Sequence, residues 1–574
     1  MDRCALALGE QWERELGDPD SPHSHVNFHS ALELDEAERF PQGHLDALQQ
    51  LGCFEMLIPA AEGGRLTEPE QLVLLGRLVS RRDLTTAIAF GQTMLGSIPV
   101  WLAGTAAQKL HLAGDVRAGR LGCLALTEKA HGSDILANEV TGRPHGDGWR
   151  LNGAKWLINN AQLGGSATVL GRIERPGRAP EMALWWLHKP PAGTDGWRAH
   201  PKIRTLGIRG ADISGFELCE HAAPAHSLLK GEEPALYTVL KTLQISRILC
   251  SGFSLGAVDT MFRLAFDFAR KRQLYGKRVI DIPVVKARLA QSYARMLAAD
   301  LTAQIVSRSI AALPGELSVL SAIAKYHVPT QAEHIGRELA VVLGARHYVR
   351  GEYPHGIFQK MMRDSQVVSL FDGSTQVNLS LIAGQLRSLG EQLAAAKSTR
   401  PTAADEALVE RLVMPHHACA GWPAQQEMRL SNQGSDSVAA AFLRLDVPSG
   451  ACGPAIAALH AHWQQWLRDC EQATRIERLA HDSLRVMDLA QRYVTLHSCA
   501  SMALAWSFAR RRESASPRLD DDVLIAYLAC CLPAAGIEVS DSVNGRLVDA
   551  AAALIDTRRL LSLQDVEIAG AASR

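Results

Sequence analysis

The heptapeptide Leu370-Phe371-Asp372-Gly373-Ser374-Thr375-Gln376 presents a carboxylate beside a glycine, and two chemistries fit it. Solvated, an aspartate titrates at about 4, and an Asp-Gly pair makes a turn in which the carboxylate caps nearby amides. Sealed in a water-poor pocket, the same group rises toward the range of a general base. Arg247 lies in the otherwise apolar run TLQISRILCSG, where a guanidinium needs a partner or a salt bridge. Arg272 stands among Arg270, Lys271, Lys277 and Arg278, a set that suits a phosphate through the guanidinium fork or serves as a solvated charge cluster. His23, His25 and His29, and the pair His416-His417, lack cysteine or carboxylate partners at recognised spacings, so no metal site is expected. GIRGADISG has no strand-turn-helix context and reads as turns, not a dinucleotide loop.

These residues need several elements to hold them. A chain of 574 residues exceeds what one hydrophobic core supports, so several domains are expected. Sixty basic against sixty-one acidic residues leave no electrostatic drive toward nucleic acid or an anionic membrane. The eleven cysteines show no repeated two-residue spacing of the kind that marks zinc ligands or a disulfide framework, which fits free thiols in a reducing compartment. The opening MDRCALALGEQWERELGD turns acidic too early for a signal peptide, and no charge-free apolar run of about 18 residues is expected. The reading is a soluble cytoplasmic protein without an integral membrane segment.

The fold class is α+β, mainly α. Residues 1–118 carry alanine and leucine at helical spacing, a helical N-terminal domain. Residues 119–232 read as an antiparallel β-domain, with Asp147-Gly148 and Asn152-Gly153 as two-residue hairpin turns. Residues 233–390 return to helical spacing as a bundle. Beyond the polar linker AAAKSTRPTAADE, residues 391–574 form a C-terminal helical extension, with Ile476, Leu479, Ala480, Leu484 and Met487 as one stripe.

LTEKAHGSD followed by GWRLNGAKWLINNA, then RQLYGKRVID and YPHGIFQKMMRDSQVVSLFDGSTQ, resembles the acyl-CoA dehydrogenase family over roughly residues 30 to 390. FPQGHLDALQQLGCFEMLIPAAEGG agrees near the start, and the C-terminal region looks like that of the very-long-chain branch. The resemblance implies FAD, an acyl-CoA or acyl-carrier-protein substrate, an electron-transfer flavoprotein as partner, a homodimer and a role in fatty acid metabolism. It places Asp372 where the family keeps its catalytic glutamate, one methylene shorter. The family's second location for a base falls on Ser246, which cannot serve without a partner base.

By the same resemblance, FAD is held by Leu126, Thr127, Gly132 and Ser133, by Trp156, Leu157 and Asn159, by Arg272 and Tyr275, and by Gly344, Ser374 and Gln376. Ser133 and Arg247 fall at the acyl-thioester site. Trp156 stands one residue before the family's tryptophan position, here Leu157, which on a regular strand means the opposite face. The family's Gln-x-x-Gly-Gly has become Val341-Val342-Leu343-Gly344-Ala345, and a typical glutamine has become Pro283. The aspartate also fits a nitroalkane-oxidase-like flavin oxidase, and the altered glycine motif fits a non-catalytic acyl-binding or partner-binding homologue.

Overall fold

The computed structural model describes residues 4–191, 193–350, 354–476, 484–512 and 518–570. Helices α1 (Cys4–Leu16), α2 (Phe28–Glu36), α3 (Gln42–Gln50), α4 (Pro69–Ser80), α5 (Leu84–Ala103) and α6 (Ala106–Arg117) come first. Their starts are encoded locally. Glu68 and Gln71 form a capping box with Pro69 at the first turn of α4, and Asp83 accepts the Thr85 and Thr86 amides at 3.2 and 3.1 Å to open α5.

A seven-stranded sheet follows: β1 (Gly122–Ala125), β2 (Thr141–His145), β3 (Gly148–Asn159), β4 (Ser166–Ile173), β5 (Glu181–His188), β6 (Trp197–His200) and β7 (Ile213–Ala223). It is mostly antiparallel, but β4 runs parallel to both β1 and β2. Two turn expectations are corrected. The β2–β3 hairpin turns on Gly146-Asp147, one residue earlier than read, because Gly146 takes the left-handed φ of 60°. Asn152-Gly153 is no turn; it lies inside β3 at a register shift, where Asn152 Oδ1 accepts the Glu220 amide at 2.8 Å.

The long helix α7 (Ala235–Lys271) leads through the small hairpin β8 (Gln273–Leu274) and β9 (Lys277–Arg278) to α8 (Pro283–Ala312) and α9 (Leu317–Leu343). Then come α10 (His355–Ser365), α11 (Thr375–Ala383) and α12 (Leu386–Ala396). The extension adds α13 (Ala403–Val413), α14 (Ser437–Leu443), α15 (Gly453–Ile476), α16 (Leu484–Arg511), α17 (Asp521–Cys531) and α18 (Asp541–Asp556). Of the stripe expected from Ile476 to Met487, Leu479 and Ala480 lie outside the described residues.

Two contacts set the frame of the site. Helix α7 lies close against α4 because Gly252 and Gly256 carry no side chains: a Cβ on them would stand 2.2 Å from the Val73 carbonyl and 2.0 Å from Ser80 Oγ. Lys360 on α10 is buried between Asp83 and Asp364, both at 2.6 Å, and Asp364 accepts the Ile208 amide at 2.6 Å, tying the sheet domain to the helices. After α18 the chain returns, and its buried residues Leu560, Leu561, Leu563 and Val566 pack between the first helices and the bundle.

The expectation of no long uncharged apolar run is corrected at α5, which carries no charged residue, whereas the apolar stretch of α7 includes charged side chains. Helix α5 and a stretch of α7 are long and apolar enough to cross a bilayer by composition. Both are core helices instead: 89% and 83% of those stretches are buried inside the protein.

Candidate active site

Asp372 and Gly373 both take left-handed backbone conformations, with φ of 55° and 94°. For a residue with a Cβ this costs on the order of 1 kcal/mol, so the turn persists only because its surroundings hold it. Three side chains do so. Arg247 Nε donates to the Asp372 carbonyl at 3.0 Å. Lys325 Nζ donates to the carbonyls of Phe371 at 2.6 Å and Gly373 at 3.3 Å, and also to that of Val368. Asn378 Nδ2 donates to the carbonyls of Gly373 and Ser374 at 2.9 and 2.8 Å.

The amide-capping task of an Asp-Gly turn falls to another residue. Ser374 Oγ accepts the Val377 amide at 3.4 Å and opens α11. The Asp372 carboxylate is left to face α7, where Cys250 Sγ donates to its Oδ2 at 3.5 Å, while the Ser246 hydroxyl donates to the Leu243 carbonyl at 3.4 Å. Burial raises the Asp372 carboxyl above the ordinary aspartate range, although Lys325, the Cys250 contact and Arg247 pull the other way. Burial likewise depresses the Lys325 ammonium, brings the Arg247 guanidinium down to about 10, and pushes the Cys250 thiol up.

The carboxylate opens on a narrow apolar cleft between α4, α5 and α7. Leu72, Phe90, Met94, Leu95, Leu249 and Phe253 line it. The Phe253 ring occupies space that exists only because residue 91 on α5 is glycine; a Cβ there would stand 2.5 Å from the ring tip. A carboxylate of raised pKa beside an apolar cleft can accept a proton from a weak carbon acid on a bound apolar chain.

On the sheet side, Glu128 and Lys155 form a buried pair at 2.9 Å, and Lys155 Nζ also holds the Leu126 carbonyl at 2.9 Å. Burial brings the Lys155 ammonium down to about 8 against the pull of Glu128. Glu128 also accepts the amides of Glu139 and Val140 at 2.6 and 3.0 Å, so the start of the loop after β1 is anchored. Beyond the anchor, Gly132 and Ser133 are exposed, and among the described residues their amides and the hydroxyls of Thr127 and Ser133 meet no protein acceptor. Trp156 donates its amide to the Thr127 carbonyl at 3.0 Å. Leu157 has φ of 55° at a register shift of β3, so simple alternation of faces fails between Trp156 and Leu157, and both remain accessible. Asn159 Oδ1 is buried without a hydrogen-bond partner. Unspent donors and an orphaned acceptor around one strand suit a planar polar heterocycle.

The remaining expected residues lie elsewhere on the surface. Arg272 caps the end of α7 and is exposed, and its side chain has no partner among the described residues. Tyr275, at the tip of the β8–β9 hairpin, is 92% exposed. Gly344 ends α9 with its amide donating to the carbonyls of Ala340 and Val341 and its own carbonyl accepting His347 Nδ1 at 2.6 Å, so its polar groups are engaged within the chain. Gln376 is exposed on the first turn of α11. Sequence reasoning missed Cys250, Lys325 and Phe253. Lys325, a lone cation in the apolar run SVLSAIAK, carried the same signal that singled out Arg247; Cys250 and Phe253 carried none.

Three family models match in chain order: the acyl-CoA dehydrogenase N-terminal domain over residues 26–120, the middle domain over 123–220 and the C-terminal domain over 236–387. The chain belongs to the acyl-CoA dehydrogenase family. Members of this family are FAD-dependent oxidoreductases. Human mitochondrial short-chain specific acyl-CoA dehydrogenase is 26% identical over 62% of this chain and 86% of its own length. Cyclohex-1-ene-1-carbonyl-CoA dehydrogenase of Geobacter metallireducens is 24% identical over 60% and 90%. A Bacillus anthracis acyl-CoA dehydrogenase structure, complexed with FAD, superposes with a TM-score of 0.74 over 97% of this chain and 95% of that one, at 17% identity. Its fold therefore takes in the C-terminal extension as well. A prolyl acyl carrier protein oxidase matches with a TM-score of 0.59 over 67% of this chain and 99% of its own, also at 17% identity.

Proposed function

We propose that the protein introduces an α,β double bond into an acyl thioester carried by coenzyme A or an acyl carrier protein, with Asp372 removing the α-proton. The observation that carries this reading is the Asp372 carboxylate at the wall of an apolar cleft, its pKa raised by burial and its backbone clamped by Arg247 and Lys325. The cleft takes the acyl chain, and the clamped turn fixes the direction from which the carboxylate meets the α-carbon. The proton passes to Asp372, whose protonated form the buried site favours.

The fit to FAD rests on the unspent Gly132 and Ser133 amides, the Thr127 and Ser133 hydroxyls and the orphaned Asn159 Oδ1. Bound there, FAD supplies the two-electron acceptor for the hydride that leaves the β-carbon. Trp156 and Leu157 border that pocket, and Ser133 borders the thioester. Arg272 and Tyr275 project from the bundle and reach a second copy in a homodimer. Arg346 lies over the Phe268 ring at 5.3 Å, so exposed Tyr348 and Val341 share that end of the molecule with the hairpin, an apolar surface suited to such a partner. An electron-transfer flavoprotein reoxidises the cofactor in this reading.

Anaerobic mixing with acyl-CoA and acyl-carrier thioesters of graded length tests the assignment. Thioesters should bleach the flavin band, a small nitroalkane should not, and Asp372→Asn should keep the flavin but stop the bleaching. Bleaching of Asp372→Asn at the wild-type rate would remove Asp372 as the base; bleaching by the nitroalkane alone would replace the reaction with an oxidase chemistry that an aspartate also serves.

A further inference from the structure

The apolar cleft has a base at one point of its wall and an aromatic ring a turn away. On α7, Ser246, Leu249, Cys250 and Phe253 fall on one face at helical spacing, and all four line the cleft. Cys250 marks the level of the base, because its thiol meets Asp372 Oδ2 at 3.5 Å. Phe253 lies three residues farther on, about 4.5 Å along the helix axis. Helix side chains lean in one common direction, so the same offset separates the ring from the thiol inside the cleft.

At that level the Phe253 ring crosses from α7 to both facing helices. A Cβ on residue 76 of α4 would stand 3.3 Å from its Cε1, and one on residue 91 of α5 would stand 2.5 Å from its Cζ. Both positions are glycine, so the buried ring fills the room that two side chains would take. It closes the cleft from wall to wall.

The closure is also stiff. Gly252, the residue before Phe253, packs directly on the Val73 carbonyl of α4, where a Cβ would stand only 2.2 Å away, so the helix that carries the ring is seated on backbone. The walls differ from this floor. Met94 and Leu249 line them and adapt by changing rotamer, whereas a chain pushing past the ring must drive it into the backbone of α4 and α5.

We infer that Phe253 sets the acyl length this protein accepts, and that its substrate is a short-chain acyl thioester whose chain ends against the ring, about one helix turn past the base. The inference rests on the reading of the cleft as the site of acyl-thioester dehydrogenation. Phe253 acts by volume alone: it excludes long chains and takes no part in the proton transfer at Asp372.

Anaerobic flavin reduction of the holoenzyme by butyryl, octanoyl and dodecanoyl groups, each as the coenzyme A and the carrier-protein thioester, tests this. In the wild type, kcat/KM for the dodecanoyl group should be at least about tenfold below that for the butyryl group. In Phe253→Ala the order should reverse, with the dodecanoyl group gaining about tenfold or more. Phe253→Leu keeps more of the core volume and serves where alanine does not fold; there the octanoyl group should gain most. Calorimetric titration of Asp372→Asn with and without Phe253→Leu should show the same shift in Kd, because fit and not reaction rate is what changes. Equal reduction of the wild type by butyryl and dodecanoyl thioesters, or an unaltered length preference in both Phe253 variants, overturns the proposal and leaves the reaction standing. Failure of every thioester to reduce or bind the wild type and the variants removes the reaction, and the length limit with it.

Discussion

Helix α7 runs through two buried charged regions that handle charge in opposite ways. Along its second half every buried carboxylate is matched. Asp259 accepts Arg263 Nε at 2.5 Å and the Leu561 amide at 3.0 Å; Asp300 accepts Ser562 Oγ and the Leu563 amide, both at 2.7 Å, and pairs with Arg77. Nearby, Glu13 pairs with Arg81 at 2.9 Å and Arg82 at 2.7 Å, and its carboxyl is held below the usual range because the two guanidinium groups outweigh its burial. Along the first half, Arg247 and Lys325 spend their donors on carbonyls, and neither forms an ion pair with Asp372 among the described residues. The matched region is a joint. The unmatched region keeps a carboxylate whose proton affinity is raised, which a closed salt bridge would have abolished.

That contrast can be broken from either side. Asp372→Asn has the largest expected effect, a loss of about 10²–10⁴-fold in the rate of flavin reduction with little change in Tm. Glu13→Gln should do the reverse: stability falls by about 3–5 kcal/mol in denaturant unfolding, because two buried guanidinium groups lose their counter-charge, while the folded fraction keeps its rate of flavin reduction. Lys325→Met probes the boundary between the two behaviours. Removing a cation that favours the ionised carboxylate should lift the Asp372 pKa further, so the acid limb of kcat/KM moves to higher pH. A purely structural role would lower the plateau and leave the limb in place. Ser374→Ala, which removes the cap of α11, should cost about 1 kcal/mol of stability.

The layout of helices, sheet and helices was legible because hydrophobic periodicity and Gly/Pro punctuation are local signals. The turn errors came from the same locality: Asn152-Gly153 has the composition of a hairpin turn, but pairing of β3 with β7 and the Glu220 contacts kept it within a strand. Asp372 could be found from its motif, whereas its environment could not. Lys325 and Cys250 reach it from positions 47 and 122 residues away in the chain, and no spacing rule links them.

The returning segment after α18 has a consequence for synthesis. Arg77 donates to the carbonyl of Leu561, a residue 484 positions later, so the first helical domain holds a buried cation whose contact does not yet exist when that domain leaves the ribosome. At 5–20 residues per second the delay is roughly 25–100 s. During that interval the nascent domain carries an open seam lined with charge. A chain that stops before residue 558 therefore carries the Asp372 turn and the apolar cleft with the seam unclosed.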